Sequence, residues 1–257
     1  MSRGIYDEFV PYYDLVYTDR SDEIAFYRSL LRADDRSVLD LGCGTGTLTG
    51  GVAADLSIRH GHRASVIGVD HSIAMLQSAR HRHRGPLWVQ GDLSLPPVRG
   101  PFDLVYCAFN TLQMLATDEA VLETLRACRD LLGIKGLFAF DIYNPACSAG
   151  AAPPDVRTGR VVNSFTDVSG HQMEILEDAT EAADGRSVQL DWRVMERSGC
   201  SPAPRASLSL RLRHHWPASI DETVRAAGLR IIQKFGDVRK TPFDEGSSIK
   251  QVVVCSR

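Results

Sequence analysis

The stretch Val38-Leu39-Asp40-Leu41-Gly42-Cys43-Gly44-Thr45-Gly46-Thr47 decides the fold. Ser37 to Leu41 is a short apolar run carrying one acid and bounded by glycine, the pattern of a buried strand. Three glycines at alternate positions follow, and then a helical pattern from Thr47 to Leu56. A glycine-rich turn between strand and helix lets backbone N–H groups approach a ligand. The helix N-terminus behind it favours negative charge. The turn therefore predicts a site for the anionic or polar part of a small cofactor. Spacing alone leaves two cofactor classes in play. The dinucleotide pattern is G-x-G-x-x-G with an acid about 20 residues on. Here Gly42, Gly44 and Gly46 are spaced G-x-G-x-G, and Thr47 stands where the third dinucleotide glycine belongs.

The alternation continues downstream. Ala64 to Val69 reads as a second strand ending at Asp70, and Ser72 to Arg82 as a helix. Leu87 to Gln90 is a third strand, leading into Gly91-Asp92-Leu93. Phe102 to Cys107 is a fourth, Asp118 to Leu132 a helix, Gly133 to Gly136 a turn, and Leu137 to Ile142 a fifth strand. Continuous apolar strands alternating with helices predict an α/β fold with a parallel sheet covered on both faces. Upstream, Tyr6, Phe9, Tyr12, Tyr13 and Tyr17 crowd the first 20 residues. Aromatics of this kind bury large areas and keep a polar handle. The segment is either a helix packed on the core or a lid over cofactor and substrate. A helix over Asp22 to Arg32, capped by Ser21 or Asp22, joins it to the first strand.

After Pro145 the pattern changes. Residues 146–159 are rich in Ala, Gly and Pro and read as a linker. Val188, Leu190, Trp192 and Val194 alternate with polar residues, as do Leu208, Leu210 and Leu212, and Asp184-Gly185 is a hairpin signal. Three or four antiparallel strands are expected, with one face buried. Pro217 to Ala227 is helical and stopped at Gly228, and Leu229 to Phe235 and Ile249 to Val254 are the last strands.

The chain has 257 residues, 44% hydrophobic and 24% charged, with net charge −3. That composition suits a globular protein and offers no basic surface for nucleic acid or anionic lipid. No apolar stretch is long enough to span a bilayer, and the first residues lack the apolar core of a signal peptide. A cytoplasmic location is the expectation. Its six cysteines, Cys200 among them, are scattered without a C-x-x-C, so they read as small apolar fillers in a reducing compartment. His60, His62, His81 and His83 have no partner at ligand spacing, and no metal is expected.

VLDLGCGTGTLT, the acid ending the second strand, GDL after the third and FDLV opening the fourth together resemble class I S-adenosylmethionine-dependent methyltransferases of the small-molecule, natural-product type. The resemblance is specific over residues 36–142 and looser at both ends. It implies a Rossmann-like, doubly wound sheet of seven mostly parallel strands, the last antiparallel, with an inserted antiparallel β cap. The implied division is an aromatic lid at 1–35, a cofactor-binding core at 36–145, the cap at 146–215 for acceptor or oligomer contacts, and a closing helix and hairpin at 216–257.

The resemblance also implies roles. Asp40 and the turn Gly42, Cys43, Gly44 and Gly46 hold the methionine portion of the cofactor. Asp70 accepts both ribose hydroxyls, with His71 beside it. Met75 packs on adenine, Asp92 accepts from the adenine amine, and the Leu93 N–H meets a ring nitrogen. Cys107 counts with this cofactor set. Asn110 matches an asparagine that faces the acceptor in glycine and related methyltransferases; otherwise it caps the next helix. Tyr12-Tyr13-Asp14 resembles a tyrosine–aspartate near the start of many such enzymes, which assigns Tyr13, and more loosely Tyr17 and Tyr6, to the sulfonium or acceptor. Arg20 is either a partner of the cofactor carboxylate or a surface charge. His214, expected to point inward from a strand end, is a candidate base, with His215 pointing outward and His171 and Tyr143 weaker candidates.

The implied reaction is in-line methyl transfer to a small-molecule acceptor, a bacterial secondary-metabolite intermediate, at an amine nitrogen, an indole-like carbon or a hydroxyl oxygen. LFAFDIYNP and the run Gly236-Asp237 to Thr241-Pro242-Phe243 are similar to enzymes that methylate amino sugars. Asn110 lacks the Pro-Pro-aromatic sequel of adenine N-methylation. The rival readings are an NAD(P)-dependent oxidoreductase with a small substrate domain and a non-catalytic scaffold. The exposed edge of the cap offers a surface through which subunits can pair.

Overall fold

The computed structural model describes residues 4–148, 156–197 and 203–257. Cys200 and residues 149–155 of the expected linker lie outside them. Eleven strands form two sheets. The first contains β1 (Ser37–Leu41), β2 (Ser65–Asp70), β3 (Leu87–Gln90), β4 (Phe102–Cys107), β5 (Leu132–Tyr143), β10 (Arg230–Phe235) and β11 (Lys250–Ser256), in the order β10-β11-β5-β4-β1-β2-β3. β11 pairs antiparallel with both β5 and β10, and the other pairings of this sheet are parallel. The second sheet is a meander of β6 (Val156–Thr166), β7 (Gln172–Glu181), β8 (Ser187–Glu196) and β9 (Ala206–Arg213). Gly185, with φ 64°, closes the β7–β8 hairpin where the sequence signals it.

Strand alternation sorts the core into two layers. Leu39, Leu41, Val105, Cys107, Phe138 and Phe140 face α5 (Asp118–Leu131) and α6 (Pro217–Ala226). Val38, Leu104, Tyr106 and Ala139 face α2 (Ser21–Ser29) and α3 (Thr47–His60). The same alternation turns Asp40 toward α3. A further helix, α4 (Ile73–Arg82), packs Leu76 and Ala79 beside Trp88 of β3.

The aromatic N-terminus packs on the core, as one of the two readings has it. Its helix α1 (Val10–Val16) is seven residues long, too short to hold itself in water. Phe9 is wholly buried and, with Val16, joins a cluster on the apolar face of the second sheet: Phe165, Met173, Ile175, Val194 and Leu208. The segment is thus the filling between the cap and the large sheet, and it also roofs the cavity described below.

Three expectations are corrected. The fifth strand starts at Leu132, which pairs with Phe102; the register then shifts so that Leu137 pairs with Leu104, and Gly133 to Gly136 is an irregularity within the strand instead of a turn before it. Helix α2 begins at Ser21, and the loop is tied by Asp19 accepting from the Ser21 N–H instead of by a Ser21 or Asp22 cap. His215 is buried, not outward, because β9 ends at Arg213 and the alternation stops with it. Burial also lowers its pKa to about 4.

Candidate active site

The C-terminal ends of β1, β2 and β4 meet where the strand order reverses, with Asp40 opposite Tyr106 and Leu41 opposite Val69. Open parallel sheets take ligands at this point. The crevice is a chamber of about 670 Å³ walled by the glycine turn, Asp40, Asp70 and Met75 and roofed by Tyr6 and Tyr13. Gly44 has φ +54°, and a Cβ on it would meet nothing within 4 Å, so its backbone faces open chamber. Gly42 serves differently: a Cβ there would lie 2.4 Å from Thr111 Cγ2, so glycine lets the turn close on the segment after β4.

Asp70 is built into this turn. Its Oδ2 accepts the Gly44 N–H at 2.8 Å and its Oδ1 the Ser72 N–H at 2.8 Å. These bonds fix the carboxylate and leave acceptor capacity on each oxygen. Burial raises its pKa while the two N–H donors oppose the rise. Asp92 sits across the chamber, exposed, and accepts from the N–H and hydroxyl of Ser94, which lower its pKa.

Asp40 is 2% exposed and accepts the Thr49 hydroxyl at 2.6 Å. Burial pushes its carboxyl up to about 7, against the hydroxyls of Thr49 and Tyr106. The folded carboxyl therefore holds its proton to higher pH than the unfolded one, and the ligand-free fold loses stability as pH rises from about 4 to about 7. Asp40→Asn keeps the shape and does not ionise. Its stability relative to the wild type is expected to rise by about 4 kcal/mol between pH values of about 4 and 8. Urea unfolding at both values measures this, and a constant difference means that Asp40 ionises at its ordinary value.

The N-terminal segment is tied to the turn. Asp14 Oδ1 accepts the hydroxyls of Thr45 at 2.8 Å and Thr47 at 3.0 Å, and its Oδ2 pairs with Arg82 at 3.0 Å. Thr47, which breaks the dinucleotide pattern, is thus a contact with the N-terminal segment.

A second chamber of about 230 Å³ shares Tyr6, Tyr13, Arg20, Phe109 and Met114 with the first. Its far wall is the apolar face of the cap, Trp192, Leu208, Leu210 and Leu212, and its floor holds Asn110 and Lys250. Phe109 and Asn110 are both left-handed, with φ 59° and 62°, a backbone state that non-glycine residues keep only when their surroundings impose it. Asp141, wholly buried, imposes it: its Oδ1 accepts the Phe109 N–H at 3.0 Å and its carbonyl the Asn110 N–H at 3.1 Å. Burial raises the phenol pKa values of Tyr6 and Tyr13, and pushes that of Tyr17 up to about 12.

Of the sequence candidates, Tyr13, Asp40, Gly42, Cys43, Gly44, Asp70, His71, Met75, Asp92 and Leu93 all line the first chamber, and Asn110 lines the second. Three do not come to the site. Cys107 is wholly buried on the α5 face of β4, one residue out of phase with Tyr106. Gly46 backs onto Trp88, which a Cβ would strike at 2.4 Å. His214 lines neither chamber; its Nε2 lies 2.9 Å from Glu181 Oε2 on the neighbouring hairpin. His171 is exposed beside Asp167, and Tyr143 also lines neither chamber. Asn110 precedes a short 3-10 turn but makes no side-chain cap there. Arg20 is no surface charge: its side chain is 13% exposed, with its guanidinium 4.4 and 4.0 Å from the Tyr17 and Phe109 ring centres. The sequence marks Asp14 only as part of Tyr12-Tyr13-Asp14, gives it no contact, and does not single out Asp141 or Lys250, because no local pattern assigns a residue whose partners lie 31 or more positions away.

The family model described as a methyltransferase domain matches residues 38–136. These residues are a methyltransferase domain. The glycine turn, Asp70, Asp92 and Asn110 all fall within it. Among curated proteins, trans-aconitate 2-methyltransferase of Azoarcus sp. (strain BH72) is 37% identical over 98 residues, covering 37% of this chain and 36% of that protein. The putative methyltransferase YqeM of Bacillus subtilis (strain 168) is 30% identical over 112 residues, 42% of each. The chain thus matches well under half the length of these relatives. Among solved structures, the CcbJ methyltransferase from Streptomyces caelestis superposes with TM-score 0.77 at 23% identity, covering 99% of both chains. CalS10, an amino pentose methyltransferase from Micromonospora echinaspora, gives 0.70 at 21%, covering 100% of this chain and 98% of that one. These two share with the methyltransferase domain and its cap a fold that spans the whole chain.

Proposed function

We propose that this protein transfers a methyl group from S-adenosylmethionine to a nitrogen of a small-molecule acceptor, an intermediate of bacterial secondary metabolism. The observation that carries this reading is the first chamber. A glycine turn, the fixed carboxylate of Asp70 and the buried acid Asp40 converge on a cavity that a nucleoside and an amino-acid tail suit. Gly44 leaves the space a ligand needs, and Asp70 offers an acceptor on each oxygen for a ribose diol. Asp40 and the turn meet the amino-acid end, Met75 and Leu93 flank the adenine, and Asp92 accepts its amine. When bound, the cofactor supplies a methyl on a sulfonium: the acceptor's lone pair forms the new N–C bond, the C–S pair returns to sulfur, and the amine proton leaves to solvent.

The residues then align and enclose. Tyr6 and Tyr13 shut water out of the partition between the chambers, and alignment of this kind is the larger part of such catalysis. Nitrogen is favoured over hydroxyl because no base lines the second chamber. Its phenols hold their protons, and His214 is engaged elsewhere. A hydroxyl needs a base, whereas a neutral amine does not. Arg20 and Lys250 disfavour an ammonium there and so favour the neutral form. The amino pentose activity named for CalS10 agrees with this choice. In this reading residues 1–35 are the lid, 36–145 the donor core, 146–215 the acceptor cap and 216–257 the closing unit.

Titration calorimetry with S-adenosylhomocysteine and with NADH tests the donor. Binding of the first alone is expected; binding of NADH alone establishes the oxidoreductase, and binding of neither a scaffold. Asp14→Ala is expected to weaken S-adenosylhomocysteine by roughly five- to tenfold, as loss of one charged acceptor for two hydroxyls implies. The loss should lie in the dissociation rate, measured by stopped flow. An unchanged rate means that the latch does not retain the ligand.

A further inference from the structure

We infer that the second chamber selects an acceptor carrying a carboxylate, which Lys250 and Arg20 hold while Asn110 takes a hydrogen bond from the acceptor's own N–H. This deepens the reading above and rests on it for the donor.

The argument begins with charge. Two cationic side chains line this chamber and no acidic one does. Glu23, the carboxylate that Arg20 reaches, does not line the chamber, and two others close by are already engaged. Asp141 lies behind Lys250 at 0% exposure, with Oδ1 taken by the Tyr27 hydroxyl and the Phe109 N–H and Oδ2 by Lys250 itself. Glu177, near Tyr17, accepts from Trp192 Nε1 and Arg160.

The donors on the two cations are underused. An ammonium has three N–H bonds and a guanidinium five. Lys250 gives one to Asp141 at 2.7 Å, and Arg20 reaches Glu23 only at 3.4 Å. Both side chains are largely enclosed, 30% and 13% exposed, where an unmade bond from a charged group costs more than it does in water. The Arg20 guanidinium also lies 4.4 and 4.0 Å from the ring centres of Tyr17 and Phe109, two residues of the chamber wall, which keeps it at the chamber. A planar carboxylate answers such donors best.

Asn110 supplies the complementary half. Its Oδ1 is buried without a hydrogen-bond partner, so it calls for a donor from the ligand. An acceptor with a neutral amine and a carboxylate satisfies Asn110 and both cations at once. Its apolar body then meets Trp192, Leu208, Leu210 and Leu212.

The test uses the full chain saturated with S-adenosylhomocysteine and matched probes that differ in the carboxylate: L-tryptophan and tryptamine, L-phenylalanine and phenethylamine, anthranilate and aniline. Calorimetry is expected to give the carboxylated member of a pair a roughly ten- to hundredfold lower Kd, the worth of one or two charge-assisted bonds. Lys250→Gln keeps an N–H for Asp141 but no charge, so it should abolish most of that advantage while S-adenosylhomocysteine still binds; Lys250→Arg should restore part of it. Equal binding within every pair, preference for the carboxylate-free members, no binding of any carboxylated probe at millimolar concentration, or an unchanged ratio in Lys250→Gln overturns the proposal. Loss of S-adenosylhomocysteine binding by the wild type overturns the donor reading instead, so the two failures are distinct.

Discussion

Asp70→Ala is expected to weaken S-adenosylhomocysteine by at least about a hundredfold, roughly 3 kcal/mol, with the fold intact. The carboxylate acts twice. It offers acceptors to the ribose diol, and each such charged bond is worth about 1.5–3 kcal/mol. It also sets the turn, since one oxygen holds the Gly44 N–H and the other the Ser72 N–H that starts α4. Alanine removes both functions. Asparagine separates them: its oxygen still takes one backbone N–H, but its NH₂ turns a donor toward the other, so Asp70→Asn should fall close to alanine. Glutamate keeps the charge and moves it outward by a methylene, so it should bind in between. Calorimetry ranks the three. An Asp70→Ala affinity within threefold of the wild type places the ribose elsewhere, because among the described residues it is Asp70 whose carboxylate accepts the Gly44 N–H.

Most of the large sheet was legible from the chain because its signals are local. Apolar runs bounded by Gly and Asp mark β1, β2, β3 and β4 to within a residue, and the glycine turn with Asp70 and Asp92 marks the donor wall. What was misplaced depends on phase. Cys107 and Tyr106 differ by one position on a strand and go to opposite core layers, and neither lines a chamber. His214 and His215 follow the last paired residue, where alternation no longer orders the side chains. What was invisible depends on distant pairing. Lys250 reads as an ordinary charge at the head of the last strand until β11 is laid against β5, which puts it opposite Tyr143 and its ammonium on Asp141. The wall of the second chamber needs both the N-terminal segment and the second sheet, which pack together in the cluster around Phe9, Phe165 and Leu208. Short-range periodicity therefore finds the first chamber, whereas the second is assembled from the chain's two ends and its insertion.

Asp141→Leu is expected to destabilise the ligand-free protein by about 3 kcal/mol, the low end for breaking a buried pair, because the Lys250 left behind still reaches water. Leucine fills the volume but supplies no acceptor. The Tyr27 hydroxyl and the Phe109 N–H are then orphaned in the interior, each at about 1–3 kcal/mol. The left-handed pair Phe109–Asn110 also loses its main restraint, and relaxing that strain, about 1–3 kcal/mol per residue, returns part of the loss. Tyr27→Phe isolates one bond while leaving the carboxylate on Lys250 and Phe109, so about 1 kcal/mol is expected. Urea unfolding at neutral pH measures both; a loss under about 1 kcal/mol for Asp141→Leu, below the usual worth of one buried hydrogen bond, contradicts the hub. The relaxation carries a second consequence. Gly44, Asp70 and Met75 belong to other strand ends, so S-adenosylhomocysteine should bind the folded variant within a few-fold of the wild type. Asn110 and Lys250 should no longer converge, and the carboxylated probes should lose their preference, which ties the stability of β5 to the choice of acceptor.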